Sequence, residues 1–207
     1  MRIGVLASHE GSVLQAILDA CNESRPDSNT DVRLCARVSV VVSNNSESGA
    51  IRRARKVGIR AVHLSSATHA DADALDRAIA QSLDDASVDL VVLAGYMRRL
   101  GPVTLARFKD RMINTHPSLL PKFGGSGYFG RRVHEAVLAG GERESGATVH
   151  WVTGEYDSGP IIAQVRVSID AAETPESLEA KVKAAERTLL IDTLRSLAEH
   201  SQQTRTA

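Results

Sequence analysis

Hydrophobic positions follow two alternating patterns along the first half of the chain. Short, mostly apolar runs cover Ile3–Ala7, Ala36–Val42, Ala61–Leu64, Val88–Ala94 and Arg111–Asn114. Between them lie stretches with helical spacing: Ser12–Cys21 (apolar at Val13, Leu14, Ile17 and Leu18), Glu47–Val57, Ala72–Leu83 and Pro102–Phe108. Runs without polar alternation predict strands buried on both faces, and their alternation with helices predicts parallel βαβ units. Gly58 reads as the C-cap of the second helix, and Pro102 sits in the first turn of the fourth.

Past residue 117 the pattern changes. Ser118–Arg132 is a loop carrying Gly124, Gly125, Gly127 and Gly130. A short helix over Val133–Ala139 precedes two strands, Ala147–Val152 and Pro160–Val167, joined by a turn at Asp157-Ser-Gly-Pro160. Pro175–Glu199 is a long final helix, and 200–207 a frayed polar end. Asn22–Asp31 reads as a polar surface loop. The expected fold is α/β: a Rossmann-like open twisted sheet, mostly parallel, with helices on both faces and a C-terminal antiparallel strand pair. One domain is expected over residues 1–200, its halves meeting near residue 100, with 201–207 a polar tail.

Composition narrows the function classes. A length of 207 residues fits one domain. With 43% apolar and 24% charged residues, the chain is not predominantly disordered. No apolar run approaches the roughly 20 residues of a membrane span. Twenty-five basic residues balance twenty-five acidic ones, so no long-range field draws the chain to nucleic acid or an anionic membrane. The two cysteines, Cys21 and Cys35, have neither metal-ligand spacing nor a disulfide framework. The opening apolar run is too short for a signal peptide. A cytoplasmic location with reduced thiols is the expectation.

Three places carry candidate chemistry. Gly11-Ser12-Val13 lies between the first strand and the first helix, where backbone N–H groups and the helix dipole favour an anion. The same residues also suit an ordinary helix start with Ser12 near the cap, and spacing leaves both readings open. Asn114 and His116 are two apart at a strand end, so they point the same way, and an amide beside an imidazole can hold an oxyanion and exchange a proton. Pro117 and Pro121 suggest a rigid turn leading into a glycine-rich flap. Asp157, beside Gly159, is either a turn-former or a third member of the Asn114/His116 site. Lys183 and Glu186, three apart on the last helix, read as a surface ion pair. His134-Glu135 lacks the second histidine of a zinc protease motif, and His9, His63, His69, His150 and His200 form no metal spacing.

Taken in order, Gly11-Ser12, Leu93-Ala-Gly-Tyr-Met-Arg-Arg-Leu100, Asn114-Thr-His116-Pro-Ser-Leu-Leu-Pro121 and Tyr156-Asp157-Ser-Gly-Pro160 resemble the signature of the folate-dependent formyltransferases, over about residues 1–195. The resemblance implies that 10-formyltetrahydrofolate, as co-substrate and without a metal, donates its formyl group to the amine of glycinamide ribonucleotide in purine synthesis. Residues 1–100 would then be the nucleotide- and phosphate-binding half, and 101–200 the catalytic and folate-binding half. It implies Asn114, His116 and Asp157 as catalytic residues, with Asp157 raising the pKa of His116 so that the ring is protonated. It implies Gly11, Ser12, Val13, Lys183 and Glu186 as ribonucleotide contacts. Met97, Arg98, Arg99, Leu100, Asn114, Gly154, Glu155 and Tyr156 would line the folate site, largely through backbone groups.

The partners implied are these small molecules, with no nucleic acid, no membrane, and a monomer or homodimer. Relatives with other acceptors usually carry further domains, for which this length is expected to leave no room. Two departures stand out: Val13 occupies a position where the family usually has asparagine, and a folate-contacting arginine falls near Ala72, with Arg77 the nearest substitute. A formyltransferase with another phosphorylated amine as acceptor, a formyltetrahydrofolate hydrolase, and a non-catalytic folate- or nucleotide-binding module remain the alternatives.

Overall fold

The computed structural model describes residues 1–22 and 34–206. The elements run β1 (Arg2–Leu6), α1 (Ser12–Asn22), β2 (Arg37–Ser43), α2 (Gly49–Lys56), β3 (Arg60–His63), α3 (Ala72–Asp85), β4 (Leu90–Leu93), α4 (Pro102–Arg107), β5 (Met112–His116), α5 (Arg131–Ala139), β6 (Glu144–Trp151), β7 (Ile161–Ser168) and α6 (Pro175–Thr206). The seven strands form a mostly parallel mixed sheet in the order β3-β2-β1-β4-β5-β6-β7, flanked by helices. The expected strand–helix alternation and the terminal antiparallel pair are both present. The loop expected over Asn22–Asp31 lies outside the described residues, apart from Asn22 at the end of α1. The chain forms two compact units, Met1–Met112 with Leu194–Ala207, and Ile113–Thr193.

In the first unit β1 pairs in parallel with both β2 and β4, and β2 with β3. Ile3, Val5 and Leu6 on β1, Val40–Val42 on β2 and Val91–Val92 on β4 are fully buried. Both faces of these strands are covered, which is why their sequences do not alternate. Strand order reverses between β1 and β4, so the carboxyl ends of these two strands bound a crevice where ligands bind in open α/β sheets. Caps set the helix starts. Ser48 accepts a hydrogen bond from the Ile51 N–H, and Asp71 accepts from the N–H groups of Asp73 and Ala74, each cap worth about 1 kcal/mol. Gly58, at φ +72°, ends α2 as expected. The cap residue of α4, Gly101, has no side chain, and the buried Asp76 of α3 accepts hydrogen bonds from the N–H groups of Val103 (2.7 Å) and Thr104 (3.2 Å) in its place.

In the second unit β5 and β7 flank β6 antiparallel. Val133 and Val137 of α5, Ala147 of β6, and Leu178 and Val182 of α6 form a buried cluster, with Phe123 packed against it. Truncating a fully buried leucine such as Leu178 to alanine costs about 2–5 kcal/mol. Thr148, fully buried, clamps the chain that leaves β5. Its Oγ1 donates to the Ser118 carbonyl (2.7 Å) and accepts from Leu120 N–H (3.1 Å) and Gln164 Nε2 (2.9 Å).

Several boundaries differ from expectation by a few residues, among them the start of β6 at Glu144 rather than Ala147, and two have a clear cause. β5 continues to His116 rather than ending at Asn114, because β6 supplies partners for Asn114, Thr115 and His116. α6 runs on to Thr206 instead of fraying at residue 200; no glycine or proline interrupts it after Pro175.

Candidate active site

Four side chains of the second unit converge. Asn114 and His116 project from the same face of β5. His150 lies directly opposite Asn114 on β6. Asp157 reaches them from the turn after β6, at φ +52°, a left-handed conformation uncommon for a residue with a side chain. The turn closes tightly: a Cβ on Gly159 would sit 1.7 Å from the Trp151 carbonyl oxygen. Backbone strain held by a web of contacts is a mark of functional sites.

The contacts are mutually consistent. Asn114 Nδ2 donates to Asp157 Oδ1 (3.3 Å) and lies 3.0 Å from His150 Nε2. His150 Nδ1 lies 2.9 Å from the Trp151 carbonyl oxygen and donates to it, so in the neutral ring Nε2 is the acceptor that takes the second Asn114 hydrogen. His116 Nδ1 is 3.3 Å from Asp157 Oδ2, and the Gly125 N–H donates to the same oxygen at 2.9 Å. His116 Nε2 is 2.7 Å from the Phe123 carbonyl oxygen. The Phe123 ring packs against the hydrophobic cluster while its carbonyl faces the imidazole, which ties the site to the core. Side-chain exposure is 5% for His116, 3% for His150 and 11% for Asp157.

Both nitrogens of His116 therefore face acceptors. A neutral ring has one N–H and satisfies one of them; the imidazolium satisfies both. Burial opposes the charge and is the largest influence, pushing the His116 pKa below the ordinary imidazole value against the upward pull of Asp157 and the Phe123 carbonyl. This corrects the expectation of a raised His116 pKa: Asp157 does pull upward, and desolvation outweighs it. Burial also pushes Asp157 upward, but His150, His116 and the Gly125 N–H together hold its carboxyl below the usual carboxylate value. The result is an ionised carboxylate beside an imidazole that can take or release a proton as its surroundings change.

His150 was set aside in the sequence because it has no metal spacing. Its relevance comes from cross-strand register, which single-strand spacing does not reveal. The other second-unit residues divide. Glu186 is buried and its pKa is raised, chiefly by desolvation, while Thr115 donates a hydrogen bond to it. Lys183 is half-exposed and its Nζ pairs with Glu179 Oε1 at 2.5 Å. The expected surface ion pair between Lys183 and Glu186 is thus replaced by one to Glu179, a full helical turn away. Gly154, Glu155 and Tyr156 form the exposed outer side of the Asp157 turn.

The remaining predicted residues belong to the first unit. Gly11, at φ +70°, caps α1 by accepting the Gln15 N–H (2.9 Å), and the first helical turn at Ser12 and Val13 carries N–H groups with no carbonyl partner inside the helix. Gly11 rather than Ser12 is the cap residue, and Ser12 is exposed. Helix α2 braces this loop: Arg53 Nε donates to the Glu10 carbonyl (2.9 Å) and Nη1 to Gln15 Oε1 (2.8 Å). A Cβ on Gly11 would meet Ala50 Cα at 2.8 Å. Met97, Arg98 and Arg99 are exposed beyond β4, whereas Leu100 turns into the core, leaving only its backbone for a ligand. Ala72 opens α3, and Arg77 on the same helix pairs with Asp71 (3.6 Å). Among the described residues, no group of three or more histidine, cysteine, aspartate or glutamate side chains forms a metal-binding cluster, and no helix is long and apolar enough to cross a membrane.

An amide, an imidazole and a carboxylate gathered behind a glycine-rich turn, in a chain that also has an anion-suited helix start, are suited to acyl transfer from a bound donor to an amine. The chain is similar to known proteins over most of its length. The phosphoribosylglycinamide formyltransferase of Escherichia coli (strain K12) is 36% identical over 189 residues, 91% of this chain and 83% of that protein. That of Mycobacterium tuberculosis (strain H37Rv) is 40% identical over 199 residues, 96% of this chain and 86% of that protein. The crystal structure of glycinamide ribonucleotide transformylase 1 from Symbiobacterium toebii matches with a TM-score of 0.86 at 39% identity, covering 97% of this chain and 88% of that one. The family profile described as Formyl transferase matches residues 1–194, and the chain belongs to that family.

Proposed function

We propose that this protein transfers the formyl group of 10-formyltetrahydrofolate to the amine of glycinamide ribonucleotide, a step of purine synthesis. The observation that carries the reading is the pair of contacts by which Asp157 joins Asn114 and His116. The amine attacks the formyl carbon, and a C–N bond forms as the carbonyl becomes an oxyanion. Asn114 Nδ2 and His116 donate to that oxyanion, exchanging their present partners for it; burial holds the His116 pKa low in the free protein, and the developing negative charge favours the imidazolium at this step. Pre-organised donors of this kind contribute about 3–4 kcal/mol each. The oxyanion then collapses, the bond from the formyl carbon to the folate nitrogen breaks, and the amine proton passes to that nitrogen. Asp157, ionised and in reach of His116, organises a water that carries it. No metal takes part in this scheme.

Gly11, Ser12 and Val13 are proposed to hold the ribonucleotide phosphate. Their support is the helix start and the brace from α2. Val13 offers a backbone N–H but no side-chain donor. Lys183 and Glu186 are proposed to contact the rest of the ribonucleotide. Met97–Leu100 and Gly154–Tyr156 are proposed to line the folate site. Residues 1–100 and 101–200 are accordingly read as a phosphate-binding and a catalytic half of one domain, followed by a short polar end. The working unit is a monomer or homodimer, acting on small molecules and not on nucleic acid. The exposed free thiol of Cys35 supports a reducing compartment, for which the cytoplasm is proposed.

The test is to mix the protein with 10-formyltetrahydrofolate, with and without glycinamide ribonucleotide, following folate product by absorbance and the ribonucleotide by mass spectrometry. Acceptor-dependent release with a formylated ribonucleotide is the expected result. Release without acceptor overturns the reading in favour of a hydrolase, and silence in both arms overturns it in favour of another acceptor or a binding module.

A further inference from the structure

Ser8 is the second residue beyond β1, at the point where strand order reverses and the sheet's carboxyl edge opens. It is 3% exposed and was assigned no role by any spacing in the sequence. Its hydroxyl is used in both directions. Oγ donates to Asn44 Oδ1 at 2.6 Å, in the loop after β2, and accepts from the Met97 N–H at 2.8 Å, in the loop after β4. Its backbone N–H donates to the Gly95 carbonyl at 3.2 Å. One residue thus joins the loops that follow three adjacent strands. At the other end of the same segment, Asp76 holds the N–H groups of Val103 and Thr104. Residues 97–100 are therefore strung between two buried polar anchors, while Met97, Arg98 and Arg99 remain exposed.

Every described residue of β1 and β4 is buried by apolar packing except Arg2. A hydroxyl with both a donor and an acceptor role, placed under an exposed segment, fixes where that segment's backbone points. We propose that Ser8 is a positioning residue for the folate site, setting the backbone of Met97–Leu100 through the Met97 N–H. This rests on the reading of Met97–Leu100 as a folate wall. An alanine at position 8 keeps the β1 backbone and its bond to Gly95 but leaves the Met97 N–H without its acceptor.

The test compares wild type, Ser8→Ala and Asn44→Ala. Steady-state kinetics are run with each substrate varied, together with calorimetric titration of tetrahydrofolate and hydrogen exchange at the Met97 amide. For Ser8→Ala the KM for 10-formyltetrahydrofolate and the Kd for tetrahydrofolate rise about tenfold, the ratio expected from one lost hydrogen bond. The KM for glycinamide ribonucleotide and kcat at saturation stay within about twofold of wild type, a split that general destabilisation does not produce. Met97 amide exchange accelerates. Asn44→Ala loosens the Ser8 hydroxyl and moves the folate constants the same way by a smaller factor; should Ser8→Ala fail to fold, it decides alone.

Unchanged folate constants in the folded variants, or a parallel rise in both KM values, overturn the Ser8 assignment while wild-type turnover leaves the proposed activity standing. A wild type that binds tetrahydrofolate without transferring formyl to this acceptor overturns the activity, and the Kd comparison then still decides on Ser8. A wild type that neither binds nor turns over overturns both.

Discussion

Asp157→Asn is the substitution that most sharply isolates the carboxylate. Asp157 Oδ2 takes the Gly125 N–H and faces His116 Nδ1, while Oδ1 takes Asn114 Nδ2 and lies 3.6 Å from His150 Nε2. Asparagine has nearly the same shape but only one acceptor oxygen. If its NH2 replaces Oδ2, it meets the Gly125 N–H; if it replaces Oδ1, it meets the Asn114 NH2. In either orientation one donor loses its acceptor, and the imidazolium form of His116 loses its counter-charge. A hydrogen bond to a charged group is worth about 1.5–3 kcal/mol, and leaving a buried donor unpaired costs a further 1–3 kcal/mol or so. Only the part made in the transition state slows the reaction. A barrier increase of about 3–4 kcal/mol, or a few hundredfold in kcat, is expected. The Asp157 side chain turns inward onto Asn114, His116 and Gly125 and is not itself among the residues proposed to contact folate, so the KM for 10-formyltetrahydrofolate should stay within about threefold. The assay is acceptor-dependent folate release under saturation, with circular dichroism confirming the fold. A kcat within about threefold of wild type would refute the assigned role of the carboxylate.

Three other outcomes follow from the same geometry. His150→Ala removes the acceptor of one Asn114 hydrogen and should lower kcat by roughly tenfold or more, with the melting temperature shifted by only a few degrees; steady-state kinetics and a thermal melt check both. His116 and His134 both have pKa values lowered chiefly by burial, so the unfolded chain takes up their protons first. Their contribution to stability is complete above about pH 6.5 and is lost as pH falls through the unfolded value toward the folded one, which thermal melts between pH 7.5 and pH 5 will show. Glu186 runs the other way: its raised pKa means the folded state is penalised while the carboxylate is ionised. Glu186→Gln should therefore raise the melting temperature at pH 7.5, by roughly 3 °C for each kcal/mol regained, with the gain shrinking toward pH 5, and should raise the KM for the ribonucleotide.

What could be read in the sequence was what local pattern determines. The buried valines of β2 and the apolar run of β4 announce themselves without reference to any partner. The left-handed Gly58 is equally local. Contacts between distant segments were out of reach. Thr115-His116-Pro117 looks like a loop until β6 is laid against it, at which point Asn114 faces His150 and His116 faces Thr148. Asp157 looks in sequence like any turn aspartate; its left-handed backbone, with Gly159 packed against the Trp151 carbonyl, turns it back onto His116. The ion pair of Lys183 went to Glu179 because residues four apart on a helix also meet, and because Glu186 is buried. Leu100, expected at the folate site, points into the core, since position in a motif does not say which atoms face a ligand. The upward pull of Asp157 on His116 is legible in the motif, whereas the larger effect of burial is not, since it depends on everything packed around the ring.

The central claim is that Asn114, His116 and Asp157 carry formyl transfer to an amine. Its most direct test is a single-turnover reaction with 10-formyltetrahydrofolate carrying 13C in the formyl group, read by NMR. Wild type should deliver one equivalent of label to the glycinamide nitrogen, and His116→Ala should deliver essentially none over the same interval while remaining folded. Label appearing as free formate in wild type, or arriving on the ribonucleotide equally fast with His116→Ala, would contradict the account.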